Sequence, residues 1–164
     1  MLRLKFKYVK IHPKAVTPNK IAGNLGFDLS VVRDEDFTEY YGARNLDGSP
    51  RILEHRYNLQ PKTKKIFHTG LKIAIPVGYG VVFWDRSGMS AVKGLTKLAG
   101  CIDCTYRGEW LVCLYNLSDE VYPIVEGDRI IQCIILPDYQ ADFEEDKELD
   151  DTIRGEKGFG ASGR

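Results

Sequence analysis

The stretch GLKIAIPVGYGVVFW, residues 70–84, decides the fold class. It is apolar and rich in β-branched residues, and Pro76, Val77 and Gly78 break it in the middle. Two short strands joined by a turn account for it. The same signal recurs on either side. EWLVCLYNLS (109–118) and RIIQCIILP (129–137) are apolar and β-branched between turn residues. LRLKFKYVKI (2–11) alternates apolar with basic residues and reads as a further strand. Short strands separated by Gly and Pro predict an all-β sandwich, barrel or jelly roll. Helical signal is thin: one short helix near residues 88–93, and a second helical turn within RDEDFTEYYGA, residues 33–43.

The chain has 164 residues, enough for one domain with a real core. It carries 23 basic and 23 acidic residues, a formal net charge of zero. That argues against a nucleic-acid partner gripped through a broad basic surface, but not against a small anion held by a few local cations. No stretch approaches the roughly 20 apolar residues that span a bilayer, and the first ten residues lack the apolar block of a signal peptide. A cytoplasmic protein with no membrane partner is expected. The four cysteines, Cys101, Cys104, Cys113 and Cys133, read as buried reduced thiols. CIDC has the C-x-x-C spacing, but a structural zinc would want a second ligand pair, and His12, His55 and His68 are scattered.

Residues 33–60 form a long polar excursion from the strand pattern. Loops of that length are usually functional or mobile, and Asp47-Gly48 signals a hairpin within it. The acidic run DFEEDKELDD (142–151) reads as a solvated linker. It leads to RGEKGFGASG (154–163), where four glycines, Arg154, Phe159 and Ser162 suggest an arm that orders around an anion.

Four further stretches carry chemistry. In DRSGMS (85–90) a strand gives way to a helix start. There Arg86 offers a fork suited to phosphate and Gly88 admits a close backbone approach, although a plain N-cap Ser87 with a surface arginine reads equally well locally. In GCIDCTYRGE (100–109) Asp103 interrupts a strand pattern. A carboxylate there serves either an inward salt bridge or a cleft as general base. Tyr106 offers an aromatic face to a sugar or base, or packs in the core; Arg107 and Glu109 read as surface charges of a turn. Gln132 interrupts the strand of GDRIIQ (127–132), and its amide needs partners, from a subunit contact or a ligand. Asp28, in LGFDLS (25–30), either orients water around a metal or pairs with a buried arginine.

Taken in order, LGFDLS, DRSGMS, GCIDCTYRGE, GDRIIQ and RGEKGFGASG resemble the five motifs of the trimeric dUTPases, the deoxyuridine triphosphate nucleotidohydrolases. HTGLKIAIPVGYG (68–80) is similar to the strand pair before that family's second motif. The resemblance implies a jelly-roll β fold over residues 1–152 assembled as a homotrimer. It also implies a flexible arm, 153–164, that closes a neighbour's site. The implied reaction is cleavage of dUTP to dUMP and pyrophosphate by water attack at the α-phosphorus, limiting uracil in DNA and supplying dUMP for thymidylate synthesis. Magnesium would be held mainly by the triphosphate, with Asp28 acting on it through water. By matching position, Asp103 would be the general base and Tyr106 would pack under the deoxyribose. Gly100 and Ile102 would present backbone groups to uracil. Arg86, Ser87, Gly88 and Gln132 would hold phosphates, Arg154, Gly160 and Ser162 would bind the phosphate end, and Phe159 would cap the base.

Three departures stand out. Thr105 occupies a place where the third motif commonly has a second acid. Asp85 precedes Arg86, where it would weaken phosphate attraction or help organise magnesium. The 33–60 excursion lies outside the usual compact enzyme and is a candidate surface for a protein partner. Two rival readings remain at this stage. One is a dCTP deaminase of the same fold, although RSGMSAVKG lacks that group's second arginine. The other is a non-catalytic nucleotide-gated regulator.

Overall fold

A computed structural model describes residues 3–42, 45, 49 and 52–158. The turn Asp47-Gly48 and the arm residues Phe159, Gly160 and Ser162 lie outside the described residues. Eleven strands and one helical turn make up the regular structure described. In chain order the strands are β1 (Lys7–Lys10), β2 (Phe27–Ser30), β3 (Thr38–Tyr41), β4 (Ile52–Leu59), β5 (Lys64–Ala74) and β6 (Tyr79–Trp84). A single wide helical turn, Gly88–Val92, follows, and then β7 (Leu95–Leu98), β8 (Cys101–Ile102), β9 (Glu109–Asn116), β10 (Tyr122–Val125) and β11 (Arg129–Pro137). Among the described residues no helix is long and apolar enough to cross a membrane.

The strands form three antiparallel sheets, ordered β1-β5-β9-β7, β2-β11-β6-β8 and β10-β4-β3. All three contribute to one core. Phe67, Trp110 and Leu114 come from the first, Leu29, Phe83 and Ile131 from the second, Leu59 and Ile124 from the third. Aromatic contacts cross between sheets: Phe83 meets Trp110 at 6.0 Å between ring centroids, and Tyr57 meets Phe67 edge-on at 5.8 Å. Strand alternation does the sorting. Phe27, Leu29, Ile131 and Cys133 point inward, while Asp28 and Gln132, one residue out of phase, stay only partly buried on the other face.

The strands read from residues 79–84, 109–118 and 129–137 stand where expected. Several other expectations are corrected. The second helical turn is absent, since Thr38–Tyr41 pair with β4 as a strand. The 33–60 excursion is only in part an excursion. Phe37 and Leu59 are buried in the core, and β4 is hydrogen-bonded to β10 as well as β3. Lys65 closes this region from β5, reaching Asp34 at 3.0 Å and also bonding Asp36. The cysteines are all free, but only Cys133 is buried, and burial pushes its thiol well above its ordinary pKa; Cys101 is exposed. Glu109 is no surface charge. It accepts from the backbone N–H of Gly70 at 2.7 Å and meets His68 Nδ1 at 2.8 Å, pinning the bulge in β5.

Glu126 ties the turn before β11 to the N-terminal segment, through Lys14 Nζ at 2.7 Å and the N–H of Arg33 at 3.5 Å. Burial alone would push its carboxyl up. The bonds and charges of Lys14 and Arg33 outweigh that and hold its pKa below the ordinary 4.5. A depressed folded-state value means stability that is full above the unfolded value and lost as pH falls through the folded one. The melting temperature of the wild type should therefore fall more steeply below pH 4.5 than that of Glu126→Gln. Parallel curves in a thermal melt series would show that the contact does not contribute.

Candidate active site

Strand β11 lies between β2 and β6, with Gln132 opposite Asp28 on one side and Trp84 on the other. Directly opposed residues share a face, so the Gln132 amide and the Asp28 carboxylate project together. Gly26 makes room for them: a Cβ there would sit 2.7 Å from Gln132 Cγ and 2.6 Å from the carbonyl of Cys133. Beyond Trp84 the chain leaves β6 and turns through Arg86 and Ser87 into the helical turn. The result is an open cleft of about 310 Å³ with Asp28, Arg86, Ser87, Gly88 and Gln132 in its wall. Five residues named from sequence thus share one cavity.

Asp28 organises the charges. Its Oδ2 takes Arg86 Nε at 3.3 Å and Arg129 Nη1 at 3.3 Å, and Arg86 Nη1 also donates to the carbonyl of Arg129 at 2.6 Å. Of the two sequence readings of Asp28, the pairing with arginine is the one formed here. Ser87 stands at the N-cap of the helical turn, as the plain reading had it, but makes no side-chain capping bond. Asp85 Oδ2 accepts from Thr96 Oγ1 at 2.7 Å and its Oδ1 from Lys97 N at 2.8 Å, so it secures β7 as well as standing beside Arg86.

Asp103 lies elsewhere. It does not interrupt a strand: β8 ends at Ile102, and Asp103 opens the turn that follows, exposed to solvent. Its carboxylate has no hydrogen bond or ion pair among the described residues. The hairpin around it is firmly held. Tyr106 N donates to the Asp103 carbonyl at 3.1 Å, and Tyr106 Oη to the Glu109 carbonyl at 2.9 Å. Arg107 Nη1 donates to the carbonyls of Cys104 at 2.7 Å and Tyr106 at 2.8 Å. Tyr106 is 42% exposed as a residue and does not pack in the core. Gly100 enters the hairpin with φ +129, and its carbonyl accepts from Phe83 N at 2.7 Å.

The two groups stand at opposite ends of β6. Val82 pairs with Cys101 and Val81 with Ile102, so the register carries Asp103 to the level of Gly80. Four residue steps, about 13 Å of extended strand, separate Gly80 from Trp84, and Arg86 lies beyond. Arg154 joins neither group. It folds onto its own arm, donating to the carbonyls of Lys157 at 3.0 Å and Gly158 at 3.3 Å. No group of three or more His, Cys, Asp or Glu side chains among the described residues forms a metal cage. A single partly buried carboxylate, Asp28, fits a magnesium ion that takes most of its ligands from phosphates and water.

Sequence reasoning missed three residues of the cleft: Met89, Lys93 and Tyr122. Met89 and Lys93 flank a motif that had been read only through its Arg-Ser-Gly core. Tyr122 arrives from β10, a strand too short to announce itself.

The family model for dUTPase matches residues 52–163. A deoxyuridine 5'-triphosphate nucleotidohydrolase of Fusobacterium nucleatum is 38% identical over 142 residues, covering 83% of this chain and 97% of the relative. The enzyme of the same name from Wolinella succinogenes is 34% identical over 165 residues, covering 99% and 96%. Among solved structures, a Staphylococcus bacteriophage 80alpha dUTPase with dUpNHpp superposes with a TM-score of 0.74 at 21% identity, covering 98% of this chain and 99% of that one. A dUTPase from phage phi11 of S. aureus, in which a structural Mg(II) ion is coordinated, gives 0.68 at 20% identity, covering 89% and 99%.

A methyl group at Gly100 would lie 2.6 Å from Phe83 Cβ, at a φ that side chains rarely adopt. Gly100→Ala should cost about 1–3 kcal/mol in a denaturant melt and weaken nucleotide binding as the hairpin shifts. Unchanged melts and affinity would show that the hairpin adjusts freely.

Proposed function

The chain belongs to the dUTPase family, and from that premise we propose how its residues share the hydrolysis of dUTP to dUMP and pyrophosphate. Neither rival reading, deaminase or silent regulator, is favoured by these relatives. Water forms a bond to the α-phosphorus as the bond to the β-phosphate bridging oxygen breaks, and pyrophosphate leaves. Asp103 takes the proton from the attacking water. Its exposed, unpaired carboxylate on a braced hairpin is the observation that carries this assignment. An aspartate is ionised at neutral pH and accepts a proton well when held in place.

Gly100, Ile102 and the hairpin backbone read the uracil edge, and Tyr106 lies under the deoxyribose. A mismatched base would leave buried donors and acceptors unpaired there. Arg86, Ser87, Gly88 and Gln132 hold the phosphates in the cleft. Magnesium, when bound through the triphosphate, neutralises phosphate charge; Asp28 would hold it through water.

Asp103 and Arg86 stand at opposite ends of one strand, which supports a site composed between copies of the chain. One copy supplies the uracil hairpin and its neighbour the phosphate cleft, repeated around a homotrimer. The arm supports the same arrangement. On the segment leading to it, Tyr139, Phe143 and Leu149 are 84%, 97% and 90% exposed, apolar surface that a neighbouring copy would cover. We assign the closing role to Arg154, Phe159, Gly160 and Ser162 of that arm. The outer part of the 33–60 segment remains available to a protein partner, with Tyr40 and Ile52 exposed upon it.

Asp103→Asn should lower kcat by about 10²–10⁴-fold while the affinity for dUpNHpp persists. Lost binding together with lost turnover would remove Asp103 from the role of base. Ending the chain before Arg154 should cripple turnover and leave the melting temperature in place. A lower melting temperature would make the arm structural. Pyrophosphate release from dUTP, dTTP, dCTP and UTP, measured side by side, should favour dUTP; equal rates would defeat the uracil hairpin.

A further inference from the structure

The cationic side chains at the phosphate cleft are not equivalent. Arg86 and Arg129 share one carboxylate oxygen of Asp28, and Arg86 also bonds the Arg129 carbonyl. Their guanidinium groups are therefore oriented, and partly neutralised, by the chain itself. Lys93 differs. It leaves the helical turn at its C-terminal cap, is exposed, lines the cleft, and its ammonium makes no ion pair or hydrogen bond among the described residues. Tyr122 enters the same cleft from β10 on the other sheet. It is partly buried and packs against the core, yet its hydroxyl has no partner among the described residues.

These facts need a common explanation. The Tyr122 hydroxyl has no bond among the described residues and is left to water or a ligand in the cleft, a donor that phenylalanine in the same space would lack. An unpaired ammonium sharing a cleft with Arg86 adds to its positive charge, a setting that suits an arriving anion. Burial, with the nearby Asp128 charge, raises the Tyr122 pKa; the Arg86 charge only partly opposes it, so the hydroxyl stays a donor.

We infer that Lys93 and Tyr122 are further phosphate-chain contacts of this enzyme. The Lys93 ammonium supplies a mobile charge that follows the polyphosphate, and the Tyr122 hydroxyl donates to one of its oxygens. The inference rests on the cleft being the phosphate end of the dUTP site. The division of labour is physical. The two arginines, fixed through Asp28, present a planar, rigid set of donors. A lysine on a flexible stem supplies a compact charge with three donors that adapts to the position of the chain. Both contacts lie away from the base and sugar, so they act on the polyphosphate and contribute little to a nucleoside monophosphate.

The test compares Lys93→Met, Lys93→Arg and Tyr122→Phe with the wild type. It uses steady-state hydrolysis of dUTP and equilibrium binding of dUpNHpp and dUMP over a range of salt concentrations. Lys93→Met should weaken dUpNHpp binding about tenfold, as expected for a charged hydrogen bond. It should raise KM more than it lowers kcat, flatten the salt dependence of binding and leave dUMP affinity unchanged. Lys93→Arg should restore most of the loss. Tyr122→Phe should weaken dUpNHpp several-fold with no loss of melting temperature. A Lys93→Met protein that matches the wild type in dUpNHpp affinity and salt dependence would overturn the inference. So would one that loses dUMP and dUpNHpp equally. A wild type that does not hydrolyse dUTP would instead overturn the reading of the whole site.

Discussion

The antiparallel register of β6 is the constraint on which the site depends. On one side it pairs with β11, setting Trp84 beside Gln132 and bringing Arg86 over Asp28. On its other side it pairs with the two residues of β8, which fixes where the Asp103 hairpin begins. A slip of one residue in either pairing would turn every side chain to the opposite face. Phe83 resists such a slip. It is buried against Trp110 on the inner side, and its N–H is bonded to the carbonyl of Gly100. One strand thus holds the Asp103 hairpin and the Arg86 cleft at a fixed separation. In the arrangement proposed above, joining them would depend on which copies meet, not on movement within a copy.

The parts of this architecture that sequence reveals are those written in local composition. Apolar runs bounded by Gly and Pro announce β6, β9 and β11 because burial, alternation and turn chemistry all act within ten residues. The site residues in the cleft are legible for a related reason. Asp28 and Gln132 are polar residues inside apolar strands, and such interruptions need a partner. What was not legible is what tertiary contact decides. Asp47-Gly48 signals a hairpin, and Thr38–Tyr41 do pair antiparallel with Ile52–Leu59, but sequence does not tell that Tyr57 and Phe37 meet Phe67 and that the edge of β4 finds β10. Glu109 looks like a turn charge. It is partly buried because a bulge in β5, 39 residues earlier in the chain, presents the N–H of Gly70 to it. Asp85 looks like a neighbour of the phosphates, and sequence does not tell that it also bonds the backbone of Lys97.

The separation of roles among the carboxylates follows from their surroundings, not from residue type. Asp28 is partly buried and held between two arginines, a setting that fixes charge and orients donors. Asp85 is tied to a hydroxyl and an amide, and its oxygens cannot leave without freeing the start of β7. Asp103 alone has both oxygens unclaimed on a hairpin whose backbone is clamped by Arg107 and Tyr106. A general base needs this combination, since it must be fixed in position yet uncommitted in its hydrogen bonds. A salt bridge to Asp103 within the chain would have occupied the acceptor that the proposed mechanism assigns to it.

The same logic extends to the segment leading to the arm. Residues 138–158 carry apolar side chains at Tyr139, Phe143, Leu149 and Ile153, with acidic residues among them, and none of the described residues there is buried. Left in water, such a segment gains nothing from folding back, because the acidic residues would have to be desolvated along with the apolar ones. Laid across a neighbouring copy, its apolar side chains leave water while the acids remain at the rim. In the arrangement proposed above, closure over bound phosphates would rest on contacts made only when nucleotide is present, which would couple closure of the site to occupation by its substrate.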